Sequence, residues 1–263
     1  DTLSLHDALP ILFEGKRAVG VEFSQHGKIV RVRARAEVIL AAGSVESPKL
    51  LELSGIGDGA VLSAHGIEML HESRDVGNNM QDHYLIGAQW RVKPQYRTVN
   101  ERSFGFNLAK EVARYALTRK GLLSCPVAGA IAFVRTREEL ATPDAMINLL
   151  AASIDIKVAN TFALERQPGA TLAIAQLRPE SRGSVHISSG EYDAAPTILP
   201  NYLSDPLDQQ CVLDQLQLVK RIINQPAISR YLESTVCHFG DTEQSMLGYA
   251  RMAGQTLYHP VGT

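Results

Sequence analysis

The residue best suited to chemistry is His259, which lies near the end of the sequence in the run YHPVGT. Pro260 disfavours a helical conformation at His259 and pushes it towards an extended one. Gly262 leaves the next step of the backbone open, and Tyr258 supplies a ring beside the imidazole. An imidazole on irregular backbone next to an aromatic ring suits general-base work near neutral pH. Taken locally, an ordinary loop histidine remains the favoured interpretation.

Other histidines have neighbours that suggest chemistry, but a structural interpretation is favoured for each. Asp82 precedes His83 in DVGNNMQDH, and the pair has the form of a base and its orienting carboxylate. We favour a turn in which Asp82 and neighbouring amides satisfy backbone groups. His238 follows Cys237, but no second pair supports a metal, so no metal site is predicted. Four polar residues near a tight turn are interpreted as a surface ion-pair cluster: Arg178, Glu180, Ser181 and Arg182.

Several reaction classes lack their sequence motifs. The sequence contains no GxSxG elbow, so a hydrolase using His259 has no recognisable nucleophile. HExxH, a Walker loop and clustered cysteine and histidine ligands are also missing, and so is GxGxxG. A dinucleotide-binding enzyme with this sequence would therefore need its primary phosphate loop elsewhere.

Composition limits the class of protein and its partners. The 263 residues suffice for one large or two ordinary domains, and 45% hydrophobic with 21% charged residues is typical of a globular protein. A net charge of −2 argues against nucleic acid as the main partner. No apolar run reaches the roughly 18 residues of a membrane span. Three widely separated cysteines favour a reducing compartment, so we predict a cytoplasmic protein and leave peripheral membrane association open.

The elements that must position any site begin with EVILAAGSVESPKLLELSGIG, residues 37–57. Residues 38–41 are apolar and predict a strand, and residues 42–44 predict a turn of small residues. Ser47 followed by Pro48 predicts the start of a helix. A strand that enters a helix through small residues lets a ligand approach the backbone, with helix amides directed at it.

Periodicity predicts an α/β unit followed by an α+β domain, with a boundary near residues 83–85. Strands are predicted at residues 17–24, 29–35, 84–92, 131–135, 146–151, 171–177 and 182–188. Helices are predicted at residues 58–65, 104–117 and 243–252, with a long one that begins at residues 205–206. Residues 156–169 are interpreted as a mobile loop.

Five segments, in order, resemble the glucose–methanol–choline family of FAD-dependent alcohol oxidoreductases, and most closely its choline-dehydrogenase-like branch. They are RAVGVEF…EVILAAG, GSVESPKLLELSGIG, DVGNNMQDH with Met80 where leucine is usual, LRPESRGSVHIS followed by PNYLSDPLD, and YHPVGT. The resemblance implies a partial FAD-binding Rossmann-like domain, then a substrate domain with a mostly antiparallel sheet and flanking helices. We expect a non-native leader at residues 1–11, the FAD domain at 12–83, the substrate domain at 84–253 and a return to the FAD domain at 254–263.

The resemblance also implies a reaction. His259 would take the hydroxyl proton of a small-molecule alcohol while hydride passes to the flavin, and oxygen, a quinone or another carrier would accept the electrons. Ala42, Gly43 and Ser44 would lie against FAD, with Tyr258 and His259 against its isoalloxazine ring. Base catalysis of this kind contributes about 10²–10⁴-fold.

The departures from the family pattern are equally informative. A typical member carries GxGxxG upstream, and beyond the histidine motif a tail with a second catalytic histidine or asparagine. We therefore expect this chain to be the middle of a longer enzyme and not to turn over by itself. The alternative is a non-catalytic relative, or an inactive fragment, that binds only a nucleotide or a partner.

Overall fold

A computed structural model describes residues 8–126, 128–154 and 163–263. The chain forms two compact units, each built from separated stretches. The first contains the chain up to Asp82, Glu180–Asp205 and Tyr258–Thr263, and the second contains His83–Pro179 and Pro206–Leu257. Within the described ranges, no helix is long and apolar enough to cross a membrane.

The first unit begins with a three-stranded antiparallel sheet: β1 (Ala8–Glu14), β2 (Arg17–Gln25) and β3 (Lys28–Arg33). Gln25 pairs with Lys28, so His26 and Gly27 alone form the loop between β2 and β3. Both have positive φ, 53° and 74°, as the commonest two-residue hairpin turn requires. The strands predicted at residues 17–24 and 29–35 are confirmed, and they form a hairpin.

Strand β1 extends the first domain upstream of the predicted boundary at residue 12. Its pairing with β2 starts at Ala8, and the Ile11 amide donates to Ser54 Oγ at 2.9 Å. Residues 8–11, which we assigned to a leader, therefore have hydrogen-bond partners within the sheet and beside it. The rest of that leader, residues 1–7, lies outside the described residues.

Two helices and a short parallel ladder follow: α1 (Gly43–Leu53), β4 (Ile56–Gly57), α2 (Gly59–Ala64) and β5 (His71–Glu72). Asp58 caps α2, the helix predicted at residues 58–65, because its side chain accepts from the Ala60 N–H at 2.7 Å. The strand predicted at residues 38–41 is wrong. Those residues have no regular structure and Ile39 is 79% exposed, since no described strand pairs with them.

Residues 180–205, which we placed in the substrate domain, belong to the first compact unit. They form an antiparallel pair, β10 (Ser184–His186) and β11 (Thr197–Leu199). The completely buried Glu52 of α1 accepts from His186 Nδ1 at 2.6 Å and from the Ile187 N–H at 2.8 Å. These two bonds fix the pair against α1, which explains the difference from the predicted division.

The second unit is built on an antiparallel sheet in the order β12-β6-β9-β8-β7, and β13 also pairs with β6. Its strands are β6 (Tyr84–Val92), β7 (Ala128–Val134), β8 (Ala145–Leu150), β9 (Gly169–Gln176), β12 (Leu232–Thr235) and β13 (Gly254–Thr256). Ile86 and Ile174 pair across β6 and β9 and are fully buried at its centre. The predicted mixed α/β fold with a mostly antiparallel sheet is confirmed.

The helices of this unit are α3 (Val99–Arg102), α4 (Gly105–Thr118), α5 (Pro206–Ile223), α6 (Pro226–Ser229) and α7 (Glu243–Ala253). Helix α5 packs against β9 and buries Val212, Leu216 and Val219. The helical spacing of these three residues and Ile223 predicts this apolar stripe, and Ile223 at its end is only half-buried. Helix α4 ends within one residue of its predicted bound and buries none of its side chains. Residues 155–162, which include the first part of the loop predicted at residues 156–169, lie outside the described residues.

Candidate functional site

Three segments that are distant in sequence meet in the first unit: the start of α1, residues 79–82 and residues 258–263. Gln81 and Val261 exchange two backbone hydrogen bonds of 2.9 Å each. The Ser44 hydroxyl donates to the Pro260 carbonyl. The histidine motif therefore binds the predicted small-residue turn through Pro260, and it binds residues 79–82 through Val261.

Helix α1 begins at Gly43, four residues before the predicted start at Ser47. Ser47 Oγ accepts from the Ala42 N–H at 3.1 Å. Pro48 consequently lies inside the helix and has no N–H to donate to the Ser44 carbonyl. Thr263 Oγ1 donates to that carbonyl instead, at 2.7 Å. A proline in the helix thus creates the attachment point for the end of the histidine motif.

Asp82 is buried and binds the backbone of the candidate base. Its Oδ1 accepts from the His259 N–H at 2.9 Å, and its Oδ2 accepts from the Tyr202 hydroxyl at 2.5 Å. The interpretation of Asp82 as a carboxylate that satisfies backbone groups is confirmed. His83 belongs to the second unit, where its Nε2 lies 3.1 Å from the Leu177 carbonyl oxygen.

The backbone on either side of His259 has positive φ. Tyr258 has φ of 60°, a left-handed conformation that costs a non-glycine residue of order 1–3 kcal/mol unless its surroundings hold it. Gly262 has φ of 88°, and a Cβ there would lie 2.7 Å from the Asn79 carbonyl oxygen. The glycine is required both for its conformation and for close approach of the two chains.

The start of α1 leaves room for a ligand against the backbone. Gly43 is exposed with φ of 79°, and nothing lies within 4 Å of the position that a Cβ would take. Ala42 beside it is half-buried. The first amides of a helix have no partner within the helix and attract anionic or carbonyl oxygen. The side chains of Tyr258 and His259 are exposed and accessible to a reactant.

Sequence reasoning missed Tyr202 and Thr263 as parts of this arrangement. The signal for Thr263 was Pro48, which removes the donor to the Ser44 carbonyl and requires another. For Tyr202 we find no local signal, because its partner Asp82 is 120 residues away. Among the residues that the structure describes, no group of three histidine, cysteine or acidic side chains is placed to hold a metal ion.

Comparison with known proteins identifies the family. GMC oxidoreductase family models match residues 3–85 and 179–263, together more than half of the chain. An oxygen-dependent choline dehydrogenase of Paraburkholderia xenovorans is 30% identical over 258 residues, which cover 95% of this chain and 44% of the relative. Another, from Chromohalobacter salexigens, is 32% identical over 266 residues, which cover 100% of this chain and 47% of the relative.

A solved structure agrees on the fold. A variant of the formate oxidase from Aspergillus oryzae, studied for its FAD modification, superposes with a TM-score of 0.86 at 22% identity, covering 97% of this chain and 49% of that one. The chain thus spans less than half the length of these relatives. Two family models and a shared fold lead to one conclusion: the chain belongs to the GMC oxidoreductase family.

Proposed function

We propose that the product of the complete reading frame oxidises a small-molecule alcohol, with FAD as its cofactor and His259 as its general base. The names of the relatives support this proposal, since they include choline dehydrogenases and an oxidase studied for its FAD. The observation that carries it is the binding of the histidine motif to the start of α1, through Ser44 with Pro260 and Thr263 with Ser44.

The described residues fit FAD. Gly43 has open space where a side chain would stand, and the first amides of α1 have no partner within the helix. Ala42, Gly43 and Ser44 would hold the cofactor through their backbone, because the Ser44 hydroxyl already donates to Pro260. Tyr258 and His259 would lie on its reactive side. When bound, FAD supplies the hydride acceptor for the alcohol carbon.

The chain's own residues supply the proton chemistry. A ring nitrogen of His259 would take the hydroxyl proton of the alcohol, which contributes about 10²–10⁴-fold to the rate. The bond from the His259 N–H to Asp82 and the pairing of Gln81 with Val261 fix the backbone that carries the imidazole. A fixed backbone at this point lowers the orientational cost of bringing the ring to the hydroxyl.

The substrate and the final electron acceptor are open within this proposal. The relatives named above are described as choline dehydrogenases and as a formate oxidase, so the family accommodates different reactants. Oxygen, a quinone or another carrier is proposed to reoxidise the flavin. The alternative function, a non-catalytic protein that binds a nucleotide or partner, predicts no reduction by any alcohol.

The test is an absorbance spectrum of the purified product of the complete reading frame, followed by anaerobic addition of candidate alcohols. We expect a flavin spectrum that bleaches with at least one alcohol. His259→Ala should bleach about 10²–10⁴-fold more slowly. His71→Ala removes an exposed histidine of the same unit and should leave the rate unchanged. Protein without flavin that added FAD does not restore would refute the cofactor, and a fully active His259→Ala variant would refute the base.

A further inference from the structure

We propose that Asp82 and Tyr202 are positioning residues that set the orientation of His259 for proton transfer. The inference rests on the proposed function, because it concerns the residue assigned as the base. It goes further by naming two side chains, neither of which carries out the chemistry, on which the rate should depend.

The first step is the direct bond to the base. Asp82 is 5% exposed, and its Oδ1 accepts from the His259 N–H at 2.9 Å. A carboxylate accepting a backbone N–H in a buried setting forms a charge-assisted hydrogen bond, about twice as strong as a neutral one. The bond fixes the peptide plane immediately before the Cα that carries the imidazole.

The second step is the strained residue beside that plane. Tyr258 is held at φ of 60°, a conformation that tyrosine adopts only when its surroundings impose it. The His259 N–H belongs to the peptide that joins Tyr258 to His259, so its direction depends on the Tyr258 backbone. Without an acceptor at Asp82, Tyr258 can relax to an ordinary conformation and rotate the following residue.

The third step is the support for Asp82 itself. The Tyr202 hydroxyl donates to Oδ2, so both carboxylate oxygens have donors and the group cannot turn freely. Tyr202 lies between Asn201 and Leu203, which have φ of 55° and 56°, and Leu203 is buried. Left-handed backbone on both sides of Tyr202, with a buried anchor at Leu203, gives the tyrosine a defined direction. Tyr202, Asp82 and His259 therefore form a chain of hydrogen bonds that ends on the candidate base.

The test uses flavin reduction in the product of the complete reading frame. We expect Asp82→Ala to lower the maximal reduction rate by roughly 10–100-fold, the scale of a misplacement near 1 Å, with little change in the alcohol concentration at half-saturation. Asp82→Asn retains an acceptor oxygen and should restore most of the rate. Tyr202→Phe removes only the hydroxyl and should cost about 5-fold, the equivalent of one net hydrogen bond.

Matched controls separate this role from general damage. Asp75→Ala removes an exposed carboxylate from the same polar segment, and Tyr192→Phe removes a hydroxyl from the same unit. Both should keep the wild-type rate. A loss in Tyr192→Phe equal to that in Tyr202→Phe would overturn the role of Tyr202.

A double-mutant cycle gives the decisive comparison. If Asp82 acts through His259, then Asp82→Ala should have almost no further effect in a His259→Ala background. Full additivity of the two losses would overturn the inference. A fully active His259→Ala variant would instead refute the proposed function.

A readout independent of activity covers that last case and any failure of Asp82→Ala to fold. In protein labelled with ¹⁵N-histidine, the His259 amide proton should resonate downfield, as expected for a bond to a carboxylate. The resonance should move upfield in Asp82→Ala, and it should shift measurably in Tyr202→Phe, which preserves the ring. An unchanged His259 amide in both variants would overturn the inference.

Discussion

Removal of the buried carboxylate of Glu52 should destabilise the first unit by about 2–6 kcal/mol. Glu52 is fully buried and accepts two hydrogen bonds, from His186 Nδ1 at 2.6 Å and from the Ile187 N–H at 2.8 Å. Glu52→Ala leaves both donors without this acceptor, at about 1–3 kcal/mol for each donor.

The assay is hydrogen exchange of the α1 and β10 peptides, combined with urea unfolding followed by circular dichroism. We expect Glu52→Ala to raise exchange in both elements and to lower the urea midpoint. Glu52→Gln keeps one acceptor oxygen and should cost less. The control is Glu72→Ala, which removes an exposed partner of Arg74 and should leave the urea midpoint almost unchanged. A Glu52→Ala loss no larger than that of Glu72→Ala would refute the reasoning.

Two further predictions use other parts of the structure. Gly262→Ala forces a Cβ to 2.7 Å from the Asn79 carbonyl oxygen at a positive φ, so we expect the rate of flavin reduction to fall by at least about 10-fold. The control is Gly66→Ala, which has a similar φ but open space around the added Cβ and should leave the rate unchanged. Cys125 is exposed, whereas burial raises the pKa of the Cys211 thiol, so a thiol reagent should label Cys125 first; peptide mapping that finds Cys211 labelled equally fast in folded protein would contradict this.

The second unit was largely predictable because its elements depend on local patterns. Tyr84–Val92 has the same bounds in the sequence prediction and in the structure, and the apolar stripe of α5 is the buried one. Helix α7 begins after Thr242, whose side chain accepts from the Ser245 N–H. Alternation, helical spacing and caps are written within a few residues of the element that they specify.

The first unit was less predictable, because its elements depend on distant partners. Residues 38–41 have the composition of a strand, but a strand exists only where another strand accepts its hydrogen bonds, and no described strand does so. Ser47 and Pro48 have the residue types of a helix start, yet α1 starts at Gly43. The donor that completes the Ser44 carbonyl, Thr263, is 219 residues away. A local window cannot contain that donor.

Asp82 shows why a structural and a functional interpretation of one residue need not compete. The polar segment around Asp82 predicted a carboxylate that satisfies backbone groups, and the structure confirms that Asp82 accepts from a backbone N–H. The sequence could not specify which backbone, because the N–H it binds lies 177 residues later, on His259. Once that N–H belongs to the proposed base, satisfying it also fixes the Cα from which the imidazole projects. The same hydrogen bond therefore stabilises the fold and, in our proposal, determines how fast a proton can leave the substrate.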